Sequence, residues 1–265
     1  MLTPLSDHSQ IPGFLMACSF EHVFGSRIYT ALRTYGMSGG RFFLLTQDDV
    51  AAAALYYSEK VLYLSARPDA DMMKIAHLIR QLDVHEIDGT FEQCTELQGM
   101  LGGYVDTSWF MVYDAQGDTY GDRYFSDKSD RYLIRSGDPE TTFAILQASE
   151  EYYRTHLHFD PWSRELQMKR DRGLSELYQI YTDGEAVGTG CLVTQDETCG
   201  IIGAMAVLPA FRHRGFGSRM TRFLTERILQ IGKTPRLVSG YDEVAELYRR
   251  CGYVGDGRWG ELYLS

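Results

Sequence analysis

The chain has 265 residues, 44% apolar and 23% charged, which excludes fibrous, collagen-like and fully disordered proteins and allows one large domain or two small ones. No apolar run approaches the ~20 residues that cross a bilayer, and the first twenty residues carry no Lys or Arg for the charged start of a secretory signal. The net charge of −10 makes the chain a poor general partner for nucleic acid or an anionic membrane. Five scattered cysteines (Cys18, Cys94, Cys191, Cys199, Cys251), none in a C-x-x-C pair, indicate neither a disulfide framework nor a zinc ribbon, so a cytoplasmic setting is expected.

In chain order, apolar spacing predicts a helix over 21–34, strands over 42–46, 51–57 and 61–65, and a helix through Met72, Ile75, Leu78, Ile79 and Leu82. A short strand near 84–87, a helix near 92–100 and a strand over 109–113 follow. Residues 114–130 are polar, rich in Gly, Ser and Asp, and read as a linker, which puts a domain boundary between 126 and 127. The second domain, 127–265, opens with a strand over 132–135. Asp138-Pro139-Glu140 then starts a helix reaching about 154, with Asp as cap and Pro in the first turn. A helical piece over 162–170 precedes strands over 175–181, 186–194 and 200–207, the first two joined by a tight Asp183-Gly184 turn. Met220, Phe223, Leu224, Ile228 and Ile231 mark a helix over 217–231, stopped by Gly232 and Pro235. A strand over 236–239, a helix carrying Val244, Leu247, Tyr248 and Cys251, and strands over 253–254 and 261–264 close the chain. Both domains run strand, strand, strand, helix, strand, helix, strand, and read as two diverged copies of one α/β fold.

Charge is uneven along this frame. Acidic residues outnumber basic ones two to one in residues 1–130 and are balanced in 131–265, yet residues 212–236 hold Arg212, Arg214, Arg219, Arg222, Arg227, Lys233 and Arg236 against Glu226 alone. This is either the solvated face of a helix or a site for a small anionic ligand. The glycines decide. An apolar strand ends at Val207, Pro209 stops its pairing, and Arg212-His213-Arg214-Gly215-Phe216-Gly217-Ser218 turns into a helix. Glycines let backbone approach a ligand, and the unpaired N–H groups of a helix start point at its phosphates. The flanking arginines add forked donors. The Walker pattern lacks its Lys, and the dinucleotide fingerprint fails at Met220. R-x-x-G-x-G after V-x-P fits.

This segment resembles the acetyl-CoA signature of the GNAT N-acetyltransferases, matching at Met205, Val207, Pro209, Arg212, Gly215 and Gly217. A second match lies at Leu247-Tyr248-Arg249-Arg250-Cys251-Gly252-Tyr253, similar to the family's L-Y-x-x-x-G-[FY], one helix and one strand further on. The resemblance covers about 130–265 and implies a mixed central sheet flanked by helices (a GNAT fold), preceded by a smaller, degenerate GNAT-like domain at 1–126. It implies transfer of an acetyl group from acetyl-CoA to a primary amine of a small molecule or peptide. Met205, Ala206 and Val207 would pair with the pantetheine arm. The backbone of Arg212, His213, Arg214, Gly215, Phe216, Gly217 and Ser218 would hold the pyrophosphate. Tyr248 would protonate the departing thiolate, and backbone N–H near Val207 would hold the oxyanion. One departure is Tyr241, where the family often has Asn. A buried helical Tyr that only packs is the competing reading of Tyr248.

No carboxylate lies on the strand over 200–207, so the general base is open among Glu150, Glu151, His156, His158, Asp160 and Glu176. His156, His158 and Asp160 alternate and could share one side as a metal site if extended; an exposed loop is the favoured reading, and no metal is expected. Phe159, Trp162, Trp259 and Tyr263 could line an acceptor pocket, with core packing favoured. In the first domain the equivalent loop, from Ser65 to Lys74, has no glycine and two aspartates at the helix start, so it should not bind coenzyme A. Its acidity could favour a cationic amine at the acceptor site. The rivals are a non-catalytic acyl-CoA-binding regulator and an aminoacyl transferase. No nucleic-acid or membrane partner is expected; a homodimer is left open.

Overall fold

The structure is a computed structural model and describes residues 1–37, 41–116 and 132–264. Packing divides the chain into two units: Met1–Phe110 with Asp256–Ser265, and Met111–Gly255.

The first unit opens with β1 (Leu2–Pro4), α1 (Ile11–Cys18) and α2 (His22–Tyr35). Glu21 caps α2 by accepting the Val23 N–H at 3.1 Å. Strands β2 (Arg41–Gln47), β3 (Val50–Ser58) and β4 (Val61–Ala66) form an antiparallel meander, with β1 on the outer edge of β2. Helix α3 (Met72–Ile79) returns the chain so that β5 (Glu86–Thr90) runs parallel to β4. Helix α4 (Phe91–Leu101) and β6 (Tyr104–Tyr113) follow. One face of this sheet buries Leu45, Leu55, Leu62, Leu64 and Ile87 completely against Ile75 of α3 and Leu97 of α4.

The second unit begins with β7 (Tyr132–Ser136), then α5 (Pro139–Ser149), α6 (Glu151–His156) and α7 (Phe159–Asp171). Asp138 caps α5 by accepting the Thr141 N–H at 2.7 Å. Strands β8 (Glu176–Thr182), β9 (Glu185–Gln195) and β10 (Cys199–Val207) make a second antiparallel meander, with β7 beside β8. The β8–β9 turn has positive φ at both Asp183 (50°) and Gly184 (84°), the geometry a two-residue hairpin needs. Helix α8 (Phe216–Gln230) leads into β11 (Thr234–Ser239), parallel to β10; α9 (Asp242–Arg250) and β12 (Tyr253–Tyr263) close the chain. Helix α8 sits tight on β9 because Gly190 has no side chain: a Cβ there would lie 2.6 Å from Met220 and 2.8 Å from Leu224. Each unit therefore repeats one pairing order, a meander of three strands and a fourth parallel to the third.

Several elements differ from expectation. The helix expected over 138–154 breaks at Glu150, whose φ and ψ of −137° and 138° are extended. The Arg212 guanidinium donates to the Ser149 carbonyl at 2.8 Å, one of the carbonyls that the break leaves without a helical partner. Residues 253–254 and 261–264 are one strand, β12, because Trp259 to Tyr263 pairs antiparallel with β5 and holds the glycine-rich stretch before it extended. That pairing puts Asp256–Ser265 in the first unit, although the sequence runs the second domain to residue 265. The expected boundary at 126/127, and most of the 114–130 linker, lie outside the described residues.

Candidate active site

Strands β10 and β11 pair only over Cys199 to Ile202 against Thr234 to Leu237. Beyond Ile202 they part. A bulge between Gly203 and Ala206, with Ala204 at φ 48°, breaks the register of β10 against β9 just where the parting begins. The edge of β10 turned away from β9, along 203–207, pairs with no strand among the described residues and leaves a slot, at whose end the Val207 carbonyl accepts from Ser149 Oγ (3.3 Å) and Arg212 Nε (3.2 Å). Met205, Ala206 and Val207 all lie on it.

At the end of the slot a 3-10 turn, Pro209–Phe211, leads into the glycine loop. His213 (φ 61°) and Gly215 (φ 79°) are left-handed, and Gly215 is the N-cap of α8 without a side-chain bond. The starts of α5 and α4, by contrast, are capped by the side chains of Asp138 and Thr90. Among the described residues, the N–H groups of Phe216, Gly217 and Ser218 donate to no protein acceptor, as the first turn of a helix capped by glycine requires. Three amides and the positive end of a fifteen-residue helix thus converge on the loop.

The arginines divide the work differently from expectation. Arg212 does not aim its fork at the loop. Its Nε donates to the Val207 carbonyl (3.2 Å), one Nη donates to the Ser149 carbonyl, and the same group lies 3.7 Å from the Glu150 carboxylate. It braces the loop, and its N–H is spent on Pro209 (3.3 Å). Arg214 is exposed, with its guanidinium 5.4 Å above Phe211 and 5.5 Å from Phe216. His213 is likewise exposed and Phe216 is buried.

Tyr248, on α9, is 6% exposed. Burial, and then the nearby Tyr153 and Cys251, push its phenol well above the ordinary range, so it stays protonated at any working pH. Tyr153, on α6, is pushed up to about 12, mainly by burial. Tyr153 packs on Ile145, Leu146 and Ala206 of the slot strand, and a Cβ on Gly217 would touch Leu247 (3.4 Å) and Val207 (3.9 Å). The Leu247–Tyr248 turn of α9 therefore stands beside both the slot and the helix start. Tyr153 carries no signal of its own in the sequence, since it continues a helical run and matches no motif. Tyr241 is the N-cap of α9, its ring exposed and making no cap bond.

Of the candidate bases, Glu176 is removed by its partners. Arg227 of α8 holds it in a two-point ion pair (2.8 and 2.7 Å), Tyr178 donates to it at 2.7 Å, and the Arg227 bonds keep its carboxyl below the usual range. A depressed folded pKa lends stability that is present above the unfolded value and lost as pH falls below about 4.5. Glu176→Gln is expected to cost about 1–2 kcal/mol near neutral pH and to flatten the acid limb of stability, read from urea melts at pH 7 and pH 4. Glu150 faces Arg212, and Glu151 lies exposed in the first turn of α6.

His156, His158 and Asp160 are not brought together as a metal site. His156 ends α6, stacked on Tyr152 with Nδ1 2.6 Å from the Thr155 hydroxyl; His158 caps α7; Asp160 lies in its first turn. His158 and Asp160 instead join Phe143, Gln147, Arg154, Leu157 and Phe159 around an open cavity of about 430 Å³. Phe159 meets Phe143 edge-on at 5.3 Å there. Trp162 packs into the core around Leu166 and Leu177. Trp259 is half-buried in the first unit, edge-on to Phe24 at 5.1 Å, and Tyr263 lies in that unit too; neither is among the residues that line this cavity.

The equivalent places in the first unit are filled by its own side chains. Asp71 caps α3, accepting the Lys74 N–H at 3.2 Å and pairing with the Lys74 ammonium at 2.6 Å. Gln93 donates to the Ala66 carbonyl at 3.0 Å, at the end of the strand that corresponds to β10. At the start of α3 a carboxylate therefore stands where the second unit has a glycine.

A slot beside a bulged strand thus lies next to a glycine-capped helix start. Residues 139–253 match the family described as acetyltransferase (GNAT) family, so the second unit is a GNAT acetyltransferase domain. The fold of the whole chain is shared with solved structures of low identity. A Drosophila melanogaster protein has 16% identity and a TM-score of 0.68, with 98% of each chain covered. A tandem GNAT protein from the clavulanic acid biosynthesis pathway has 12% identity and a TM-score of 0.66, covering 98% of this chain and 97% of that one. An acetyltransferase from the GNAT family of Colwellia psychrerythraea has 11% identity and a TM-score of 0.60 over the full length of both. No curated protein matches the chain by sequence. Among the described residues, no helix is long and apolar enough to cross a membrane.

Proposed function

We propose that the protein is an N-acetyltransferase that moves an acetyl group from acetyl-CoA to a primary amine of a small molecule or peptide by direct attack. The observation that carries this is the continuity of the β10 slot, the open amides of Phe216, Gly217 and Ser218, and the buried phenol of Tyr248. The edge along Met205 to Val207, apart from the Val207 carbonyl held by Arg212 and Ser149, pairs with the pantetheine amides, and the helix start holds the pyrophosphate. The amine nitrogen attacks the thioester carbon, and β10 backbone near Val207 stabilises the oxyanion. The carbon–sulfur bond breaks as Tyr248 gives its proton to the thiolate, and the amine proton passes to water. The cavity beside α5 and α7 receives the acceptor: Phe143 and Phe159 suit an apolar body, and the exposed carboxylate of Asp160 suits a cationic head.

A panel of small amines and short peptides, incubated with the protein and acetyl-CoA and followed by free-thiol release, tests the reading. Acetylation of a panel member is expected. Saturable acetyl-CoA binding with no turnover across the panel would instead favour the non-catalytic regulator.

A further inference from the structure

The first unit carries a cluster of acids that the acetyl-transfer site does not use. Glu86 and Asp88 stand two apart on β5, on one face, and Glu261 of β12 lies directly opposite Asp88 in the antiparallel pair. One carboxylate oxygen from each lies within 4.8 Å of the others. Asp88 is 3% exposed, and its Oδ1 is sealed from water with no hydrogen-bond donor. A buried carboxylate oxygen without a partner is costly and needs a cation or a proton. Asp106 on β6 adds a fourth acid, and Arg27 on α2 is a cation that acts on both Asp88 and Glu261. Arg27 also donates to the Tyr63 hydroxyl at 3.0 Å and lies 4.3 Å over that ring.

We propose that Glu86, Asp88 and Glu261 form a divalent-cation site with the all-oxygen ligands that calcium takes. Oxygens bound to one Ca²⁺ at about 2.4 Å are at most about 4.8 Å apart, and the three ligand oxygens all lie within that limit of one another. Glu86 and Glu261 are half-buried, which leaves water to fill the remaining positions of the six to eight that calcium takes. Burial and the neighbouring acids push Glu261 up to about 7, as expected of crowded carboxylates. The site does not depend on the acetyl-transfer reading, because all three ligands belong to the first unit.

The test is calorimetry and thermal melting of the full-length protein after treatment with a chelator, titrated with CaCl2 and in parallel with MgCl2. One Ca²⁺ per chain is expected to bind and to raise a melting transition by about 5 °C at 100 times its Kd. Glu86→Gln, at a half-buried position that tolerates the change, is expected to weaken binding about tenfold. Asp88→Asn is expected to abolish binding and to melt higher than the native protein in chelator, since it removes the orphaned charge. No calcium heat and no melting shift at millimolar CaCl2 would overturn the proposal. So would unchanged calcium binding in both variants. If acidification in chelator raises the melting temperature while calcium does nothing, the three acids share protons and the cation site does not exist.

Discussion

Replacing Tyr248 by phenylalanine is expected to lower turnover about 100-fold or more while leaving the affinity for acetyl-CoA within about twofold. The reasoning begins with burial. Tyr248 is 6% exposed, and among the described residues its hydroxyl has no hydrogen-bond partner, so deleting that oxygen breaks no bond. The ring stays, and with it the edge contact to Tyr253 at 6.1 Å. The variant should therefore melt with the native protein, which separates a chemical role from a packing one. Burial raises the phenol's pKa, which keeps the proton on Tyr248 but makes it a weaker acid in isolation. A thiolate expelled into the same dry surroundings is destabilised by the same burial, so the two groups stay matched well enough for transfer. Steady-state kinetics on acetyl-CoA and melting of both proteins decide it. Full turnover by the variant would leave Tyr248 as a core residue.

The second large effect is on binding. Gly217→Glu is expected to weaken acetyl-CoA at least 100-fold, read by calorimetry, without loss of fold. A Cβ at this position would lie 3.4 Å from a Leu247 methyl, so the backbone tolerates a side chain after a small shift. A carboxylate one residue into α8 then takes the amides of the first turn for itself and sets a negative charge against the phosphates. The same charge complements the helix dipole and should stabilise α8 by about 0.3–1 kcal/mol. Tighter folding with lost binding is a pair of signs that general damage does not produce. Gly217→Ala, which adds the Cβ without the charge, should lose less than about tenfold.

Much of this was legible in the sequence because the signals were local. Asp183-Gly184 fixed one hairpin, the V-x-P and R-x-x-G-x-G segment fixed the turn from β10 into α8, and periodic apolar residues marked α8 and α9. What escaped depended on contacts far apart in the chain. The break at Glu150 is met by Arg212, whose guanidinium holds the end of α5; the two are 62 residues apart and no spacing rule joins them. The same contact turned Arg212 from an expected phosphate ligand into a brace. Glu176 looked available as a base until Arg227 was found on it. The short β1 and α1 were missed because Ile11 to Cys18 carries a Pro, a Gly and no capping side chain, so propensity argues against the helix that packing on β3 stabilises.

The pairing of Trp259 to Tyr263 with β5 sets an order of events during synthesis. Residues 1–110 leave the ribosome long before their last strand exists. Until Asp256–Ser265 is made, β5 waits with a polar backbone edge exposed, the kind of edge that joins other chains. Sheet closure must then span about 170 residues between Thr90 and Trp259, a long loop to close and a slow step in folding. A ribosome that stops at Gly255 releases a chain whose injury lies in the first unit, far back along the sequence from the stop.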